Sequence, residues 1–136
     1  MEKQRVLIVD DEQSSREIAL FDLRNDYDCD TASDAFDAYE KICRALNQDK
    51  PFDVIVLDEM MPDMKGTALL KIIRISEKYI PSHIGNRAKF VIVSSVESQK
   101  DLKNLYKKVM DDRCIYIKKP LEPSKLLETV KKQLAI

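Results

Sequence analysis

The sequence lacks the features that mark several protein classes. Its three cysteines are odd in number and widely spaced, so they match neither a disulfide framework nor a zinc-binding spacing. It has one histidine, His83, which allows at most one histidine-based catalytic pair. No apolar run approaches the ~20 residues of a membrane-spanning helix, and the first residues lack the apolar stretch of a signal peptide. We therefore expect a cytoplasmic protein that makes no contact with membrane.

Marks of a nucleic-acid-binding or multidomain protein are also missing. No cluster of lysine and arginine is interleaved with aromatic residues, so we expect no direct contact with nucleic acid. The length of 136 residues suits one domain. Hydrophobic residues make up 44% of the chain and charged residues 35%, a balance typical of globular rather than disordered proteins. We expect residues 1–136 to form one domain, with no output domain in this chain.

Short apolar runs alternate with helical patterns along the chain. Continuous runs rich in valine and isoleucine, typical of strands buried on both faces of a parallel sheet, occur at residues 6–9, 54–57, 90–93 and 115–117. Residues 27–32 alternate in polarity, which indicates a half-exposed edge strand. Five β-α repeats predict a parallel sheet with helices on both faces. The expected fold is α/β, a flavodoxin-like doubly wound (βα)5 sandwich with strand order 2-1-3-4-5.

The helical segments give more detailed predictions. Ser14-Ser15-Arg16-Glu17 has the spacing of a capping box, in which a serine hydroxyl and a glutamate satisfy each other's free amide groups at a helix start. After this box, we expect Ile18, Phe21 and either Leu20 or Leu23 to face inward. A second helix is predicted to bury a stripe that begins at Phe36 and ends at Leu46.

Polar residues follow four of the predicted buried strands. They are Asp10-Asp11 after the first, Asp58 after the third, Ser94-Ser95 after the fourth and Lys118-Lys119-Pro120 after the fifth. The carboxyl ends of parallel strands lie at one edge of the sheet, and ligands bind there at the point where strand order reverses. With strand order 2-1-3-4-5, three carboxylates would converge there beside a hydroxyl and an ammonium group.

This set of groups suits phosphoryl transfer. Three close carboxylates repel one another unless a hard cation lies among them or some are protonated, and oxygen ligands of this kind suit Mg²⁺. A carboxylate can also attack phosphorus and form an aspartyl phosphate. Positioning and electrostatic stabilisation supply most of the catalysis in such reactions.

The chain resembles the receiver domain of two-component response regulators, of the chemotaxis-regulator type. The stretches that carry the resemblance are residues 6–12, 57–66, 93–95 and 116–121. The resemblance implies that Asp58 is the phosphoacceptor. It also implies that Asp11, Asp58 and the Met60 backbone carbonyl ligate Mg²⁺, with Asp10 acting mainly through water.

Three further roles follow from the same resemblance. Lys119 would pair with Asp58 and then with the phosphoryl group, and Ser94 would hydrogen-bond a phosphoryl oxygen. Tyr116 would swing inward as the switch responds, and the Lys119-Pro120 bond would be cis. Met60 and Val96 are apolar where this family often has polar residues that place a hydrolytic water, so we expect slow loss of the phosphoryl group.

The resemblance also implies two kinds of protein partner. A histidine kinase or a histidine phosphotransfer protein would donate the phosphoryl group. A downstream protein or output domain would bind the face made by the fourth helix (around residues 102–109), the fifth strand and the last helix, and a phosphorylation-dependent homodimer is one form of such a partner. We expect no enzyme activity beyond the chain's own phosphoryl transfer and dephosphorylation.

Two other functions share parts of the pattern. A receiver-like interaction module that is never phosphorylated would have the same fold. A phosphatase of the haloacid-dehalogenase type also uses an aspartyl nucleophile, Mg²⁺, a serine or threonine and a lysine. Its nucleophile normally lies in an Asp-x-Asp motif after the first strand, whereas this chain has Asp10-Asp11-Glu12 there and no room for a cap domain.

Overall fold

From the first strand to the fourth, strands and helices alternate in the computed structural model, which describes residues 2–79, 88–95 and 114–135. The predicted fourth helix and Val96 lie outside these residues. The elements in chain order are β1 (Arg5–Val9), α1 (Gln13–Leu23), β2 (Asp28–Ala32), α2 (Ala35–Asn47), β3 (Val54–Asp58), α3 (Gly66–Tyr79), β4 (Lys89–Ser94), β5 (Cys114–Lys118) and the last helix (Lys125–Leu134).

The five strands form one parallel sheet in the order β2-β1-β3-β4-β5. The flavodoxin-like fold class and the strand order predicted from the sequence are therefore confirmed. β1 and β3 are neighbours, with Val9 paired to Leu57, and Asp58 at the end of β3 is paired to Val93 of β4. This register brings the carboxyl ends of β1, β3 and β4 together at one edge of the sheet.

Two hydrophobic layers cover the sheet, because successive side chains of a strand point to opposite faces. All five residues of β3 are buried. Leu7, Ile55 and Phe90 belong to the layer beneath α2 and α3, and Ile8 and Val56 belong to the layer beneath α1 and the last helix. Among the described residues, no helix has the length and apolar character needed to cross a membrane.

The predicted start of α1 is wrong, and so are two residues of its predicted inner face, whereas Leu23 is buried as expected. The helix begins at Gln13, and its N-cap residue Glu12 makes no side-chain capping hydrogen bond, so Ser14 lies inside the helix. Ile18 and Phe21 are 62% and 68% exposed. The helix is held to the sheet by a narrow stripe of Ala19 and Leu23, which are buried.

The predicted inner face of α2 is wrong at its first residue. Phe36 is 75% exposed. The buried stripe of the helix consists of Ala35, Ala38, Ile42, Ala45 and Leu46. Its small side chains let the helix pack closely on the sheet, and the aromatic ring of Phe36 is left outside.

The start of the last helix is joined to α1. Its N-cap residue, Ser124, has a left-handed backbone with φ of 65° and makes no side-chain capping bond. The carboxylate of Asp22 in α1 instead accepts a hydrogen bond from the Leu127 backbone N–H at 3.1 Å. A carboxylate at a helix N-terminus satisfies a free amide and interacts favourably with the helix dipole. Asp22 therefore fixes the last helix against α1.

Candidate phosphoacceptor site

Three carboxylates meet where β1 and β3 end. One oxygen atom from each of Asp10, Asp11 and Asp58 lies within 4.8 Å of the others. Asp10 and Asp58 are each 6% exposed, whereas Asp11 is exposed. The structure thus brings together the three aspartates that the strand pattern singled out.

An ammonium group lies against this cluster. Lys119, in the turn after β5, donates a hydrogen bond from Nζ to Asp10 Oδ2 at 3.0 Å, and Nζ lies 3.6 Å from Asp58 Oδ2. Burial lowers the pKa of Lys119, but the hydrogen bond to Asp10 and the charges of the nearby carboxylates outweigh it and leave the pKa raised. The lysine is therefore a fixed positive charge at neutral pH.

The backbone holds Lys119 in this position. Its N–H donates to the carbonyl of Ser94 at the end of β4, at 2.9 Å. The following Lys119-Pro120 bond is cis, as the resemblance implies. Because its backbone is bonded to the end of β4, the Lys119 side chain starts at the sheet edge and reaches back over the ends of β3 and β1.

Burial dominates the electrostatics of Asp58. It raises the pKa of Asp58 from 3.8 to about 6, in spite of the nearby Lys119 charge and a hydrogen bond from the Met60 backbone, and the charges of Asp10 and Asp11 add to the increase. The Met60 N–H lies 3.3 Å from Asp58 Oδ1. At neutral pH the group is a poorly solvated carboxylate, which a cation would stabilise.

Asp10 is held from several sides. Its Oδ1 accepts a hydrogen bond from the Glu12 N–H at 2.9 Å, while its Oδ2 accepts from Lys119. Its backbone carbonyl accepts from the Arg16 guanidinium at 2.8 Å. Asp10 is thus the fixed partner of the lysine. Sequence analysis could not identify Arg16, since its contact with Asp10 depends on the turn between β1 and α1.

The donor atoms of the cluster fit a hard divalent cation. Mg²⁺ is bound in proteins by a few carboxylate oxygens, and it usually keeps several waters. Two buried carboxylates beside an exposed one provide such oxygens and leave one side open to solvent. Asp10, Asp11 and Asp58 are therefore the side chains that would hold the ion.

Comparison with known proteins identifies the family. The family model described as the response regulator receiver domain matches residues 6–131. This chain belongs to the response regulator receiver domain family. Receiver domains are regulatory parts of two-component signalling, and an aspartate phosphorylation site and Mg²⁺ binding at acidic residues are typical of them.

Individual relatives agree with this assignment. The chain is 30% identical over 133 residues to the hybrid signal transduction histidine kinase F of Dictyostelium discoideum, covering 97% of this chain and 11% of that protein. It is 37% identical over 78 residues to the alkaline phosphatase synthesis transcriptional regulatory protein PhoP of Bacillus subtilis, covering 57% of this chain and 30% of that protein. The matched segments thus cover less than a third of the length of either relative.

Solved structures agree as well. The chemotaxis response regulator CheY4 of Vibrio cholerae matches with a TM-score of 0.75 and 28% identity, covering 96% of this chain and 98% of that one. A CheY-like receiver domain protein of Methanospirillum hungatei matches with a TM-score of 0.71 and 28% identity, covering 98% of this chain and 95% of that one.

The remaining predicted residues of the receiver domain lie around the same edge of the sheet. Ser94, the last residue of β4, is fully buried. Tyr116 on β5 is half-buried and packs against the hydrophobic layer beneath α2 and α3, with its hydroxyl oxygen buried. The Met60 side chain is 53% exposed, two residues after Asp58. Their roles in a switch and in hydrolysis stay predictions.

Sequence analysis missed a buried carboxylate next to Asp58. Glu59 is 2% exposed, and its pKa is raised by burial, although hydrogen bonds from Thr67 and the charge of Lys65 partly oppose the increase. A glutamate in a loop after a strand usually lies in solvent. Glu59 instead contacts Thr67 at the start of α3, eight residues later, and no local sequence pattern indicates that contact.

An apolar cavity opens beside the carboxylate cluster. It has a volume of about 280 Å³ and is lined by Asp58 and Lys119 together with Ile18, Pro120 and Leu121, among others. The exposed Ile18 of α1 therefore forms part of its wall. On this side, apolar side chains surround the approach to the Asp58 carboxylate.

Proposed function

We propose that this receiver domain accepts a phosphoryl group on Asp58 from a phosphohistidine donor with Mg²⁺ bound, and that phosphorylation changes its affinity for a protein partner. The observation that carries the proposal is the Asp10, Asp11 and Asp58 cluster with the Lys119 ammonium group 3.0 Å from Asp10 and 3.6 Å from Asp58. The relatives named as a histidine kinase and a transcriptional regulator support a two-component role. The reaction is expected in the cytoplasm.

The chemistry follows from charge and position. An Asp58 oxygen attacks phosphorus, the P–N bond of the donor breaks, and its electron pair stays on the imidazole. Lys119 is close enough to move its hydrogen bond to a phosphoryl oxygen, because Asp10 already holds it beside Asp58. Mg²⁺, when bound, neutralises phosphoryl oxygens and orients them. Asp11, Asp58 and the Met60 carbonyl are its proposed direct ligands, and Asp10 would act through water.

The switch is proposed to run through Ser94 and Tyr116. A phosphoryl group adds roughly −1.5 to −2 charges at this edge, and the buried Ser94 hydroxyl would turn to a phosphoryl oxygen. Tyr116 packs in the same region on β5, the strand next to β4. The partner-binding face would include β5 and the last helix, with a downstream protein, an output domain or a second copy as the partner. A partner can shift the equilibrium between the two conformations of such a switch only by as much as its affinities for those two conformations differ.

Intact-mass spectrometry after incubation with acetyl phosphate tests the proposal. We expect the wild-type chain to gain the mass of one phosphoryl group with Mg²⁺ and none with a chelator. Asp58→Asn should gain none, and the exposed Asp26→Asn should behave as wild type. No gain in the wild-type chain would instead favour an interaction module that is never phosphorylated. Steady turnover of p-nitrophenyl phosphate would favour a phosphatase.

A further inference from the structure

Glu59 places a carboxylate in the interior directly after the phosphoacceptor. It is 2% exposed, and a buried carboxylate is unfavourable unless hydrogen bonds compensate for the lost water. Here Oε1 accepts from the Thr67 hydroxyl at 3.0 Å, and Oε2 accepts from the Thr67 backbone N–H at 3.2 Å. Thr67 lies in the first turn of α3, where backbone amides have no partner within the helix.

The main chain of Glu59 makes a second set of bonds to the same region. Its carbonyl accepts from the Gly66 N–H at 3.0 Å, and its N–H donates to the Val93 carbonyl of β4 at 3.1 Å. One residue thus joins the end of β3, the start of α3 and β4. It closes residues 60–65 into a loop whose two ends are held together.

The start of α3 is in close contact with the backbone of Asp58, the proposed phosphoacceptor. A Cβ atom on Gly66 would lie 2.8 Å from the Asp58 carbonyl oxygen and 3.1 Å from Glu59 Cα. The tip of the loop is fixed separately, because Asp63 accepts hydrogen bonds from the N–H groups of Ala35 at 3.0 Å and Phe36 at 3.4 Å, at the start of α2. A displacement of Glu59 would therefore be passed to residues 60–65 rather than absorbed elsewhere.

We infer that Glu59 is a positioning residue, which fixes the Met60 main chain relative to Asp58 and so sets the affinity of the site for Mg²⁺ and the rate at which Asp58 accepts a phosphoryl group. The Met60 N–H is already at 3.3 Å from Asp58 Oδ1, and the Met60 carbonyl is a proposed ligand of the ion. This inference rests on the proposed function. Groups that orient metal ligands typically change metal affinity 10–100-fold when they are removed.

Three variants test the inference. Glu59→Met keeps a side chain of similar length but cannot satisfy Thr67, and we expect its dissociation constant for Mg²⁺ to rise roughly tenfold. Glu59→Gln can accept from the Thr67 N–H and donate to its hydroxyl, so it should stay within about twofold of wild type. Asp22→Ala weakens the last helix on the other side of the sheet and should leave Mg²⁺ affinity unchanged.

Mg²⁺ binding is measured by titration calorimetry without donor, and phosphorylation by intact mass with acetyl phosphate at saturating Mg²⁺. A folded Glu59→Met with wild-type affinity and rate would overturn the inference, as would an equal loss in Asp22→Ala. If Glu59→Met does not fold, Thr67→Val removes one of the two bonds, and unchanged Mg²⁺ affinity in that variant would overturn it. Absence of phosphorylation in the wild-type chain would contradict the proposed function alone, because the calorimetric comparison would still decide the role of Glu59.

Discussion

Replacing Asp58 with asparagine should stabilise the protein at neutral pH when no metal is bound. The pKa of Asp58 is raised from 3.8 to about 6 in the folded state. The folded chain therefore keeps a proton that the unfolded chain has already released, so the associated stability is present below about pH 4 and is lost as pH rises through about 6. This pKa difference corresponds to about 3 kcal/mol of unfolding free energy above pH 6.

Asparagine cannot ionise, so the protein no longer loses unfolding free energy as pH rises. Its side-chain oxygen can still accept the hydrogen bond from the Met60 N–H. We expect Asp58→Asn to be more stable than wild type by on the order of 3 kcal/mol at about pH 8, and by almost nothing at about pH 4. Urea unfolding in the presence of a chelator measures the difference at each pH. The exposed Asp26→Asn is the control and should show no such trend.

Magnesium should narrow this stability difference at neutral pH. At a concentration ten times its dissociation constant, a ligand that binds only the folded state adds about 1.4 kcal/mol, and this gain should appear in the wild-type chain and be reduced in Asp58→Asn. Below about pH 6 the gain should shrink, because Asp58 is then protonated. Our account of a buried, charged Asp58 is wrong if Asp58→Asn is no more stable than wild type at about pH 8. It is also wrong if the substitution stabilises the protein as much at about pH 4 as at about pH 8.

Three further predictions concern other residues. Gly66→Ala should lower the unfolding free energy by about 1–3 kcal/mol, because the new Cβ would lie 2.8 Å from the Asp58 carbonyl oxygen; unchanged urea unfolding would contradict this. Asp22→Ala should cost about 1 kcal/mol through the lost cap of the last helix, whereas Asp26→Ala should change little. Met60→Asn places an amide that can bind water beside Asp58, so the phosphorylated form, followed by intact mass, should decay several-fold faster. An unchanged lifetime would show that Met60 does not limit hydrolysis.

The fold could be predicted because its strongest signals are local. Runs such as residues 54–57 are apolar throughout, which suits a central parallel strand, and the alternation of strands and helices fixes the class. The helix faces were harder to predict. The large apolar side chain of Phe36 predicts an inward position, yet the stripe of α2 that packs on the sheet is made mainly of alanines. Because alanine is only weakly hydrophobic, the sequence does not show clearly which face of this helix is buried.

The candidate site could be predicted in part for a similar reason. Asp10, Asp58 and Lys119 each follow a recognisable strand, so the strand order alone brings them together. Glu59 and Asp22 could not be found in this way. Each acts on the first turn of another element, and those contacts depend on loop and helix positions that no local pattern specifies. The assignments of chemical role to these residues stay predictions until phosphorylation is measured.

The hydrogen bond between Lys119 and Asp10 joins residues 109 positions apart. Pairing of β1 with β3 is enough to bring the three carboxylates together. The ammonium group of Lys119, which balances their charge, follows β5 at the outer edge of the sheet. Until β5 joins the sheet, the carboxylates are held without this positive charge. Competence for the proposed reaction thus depends on the pairing of β5 with β4.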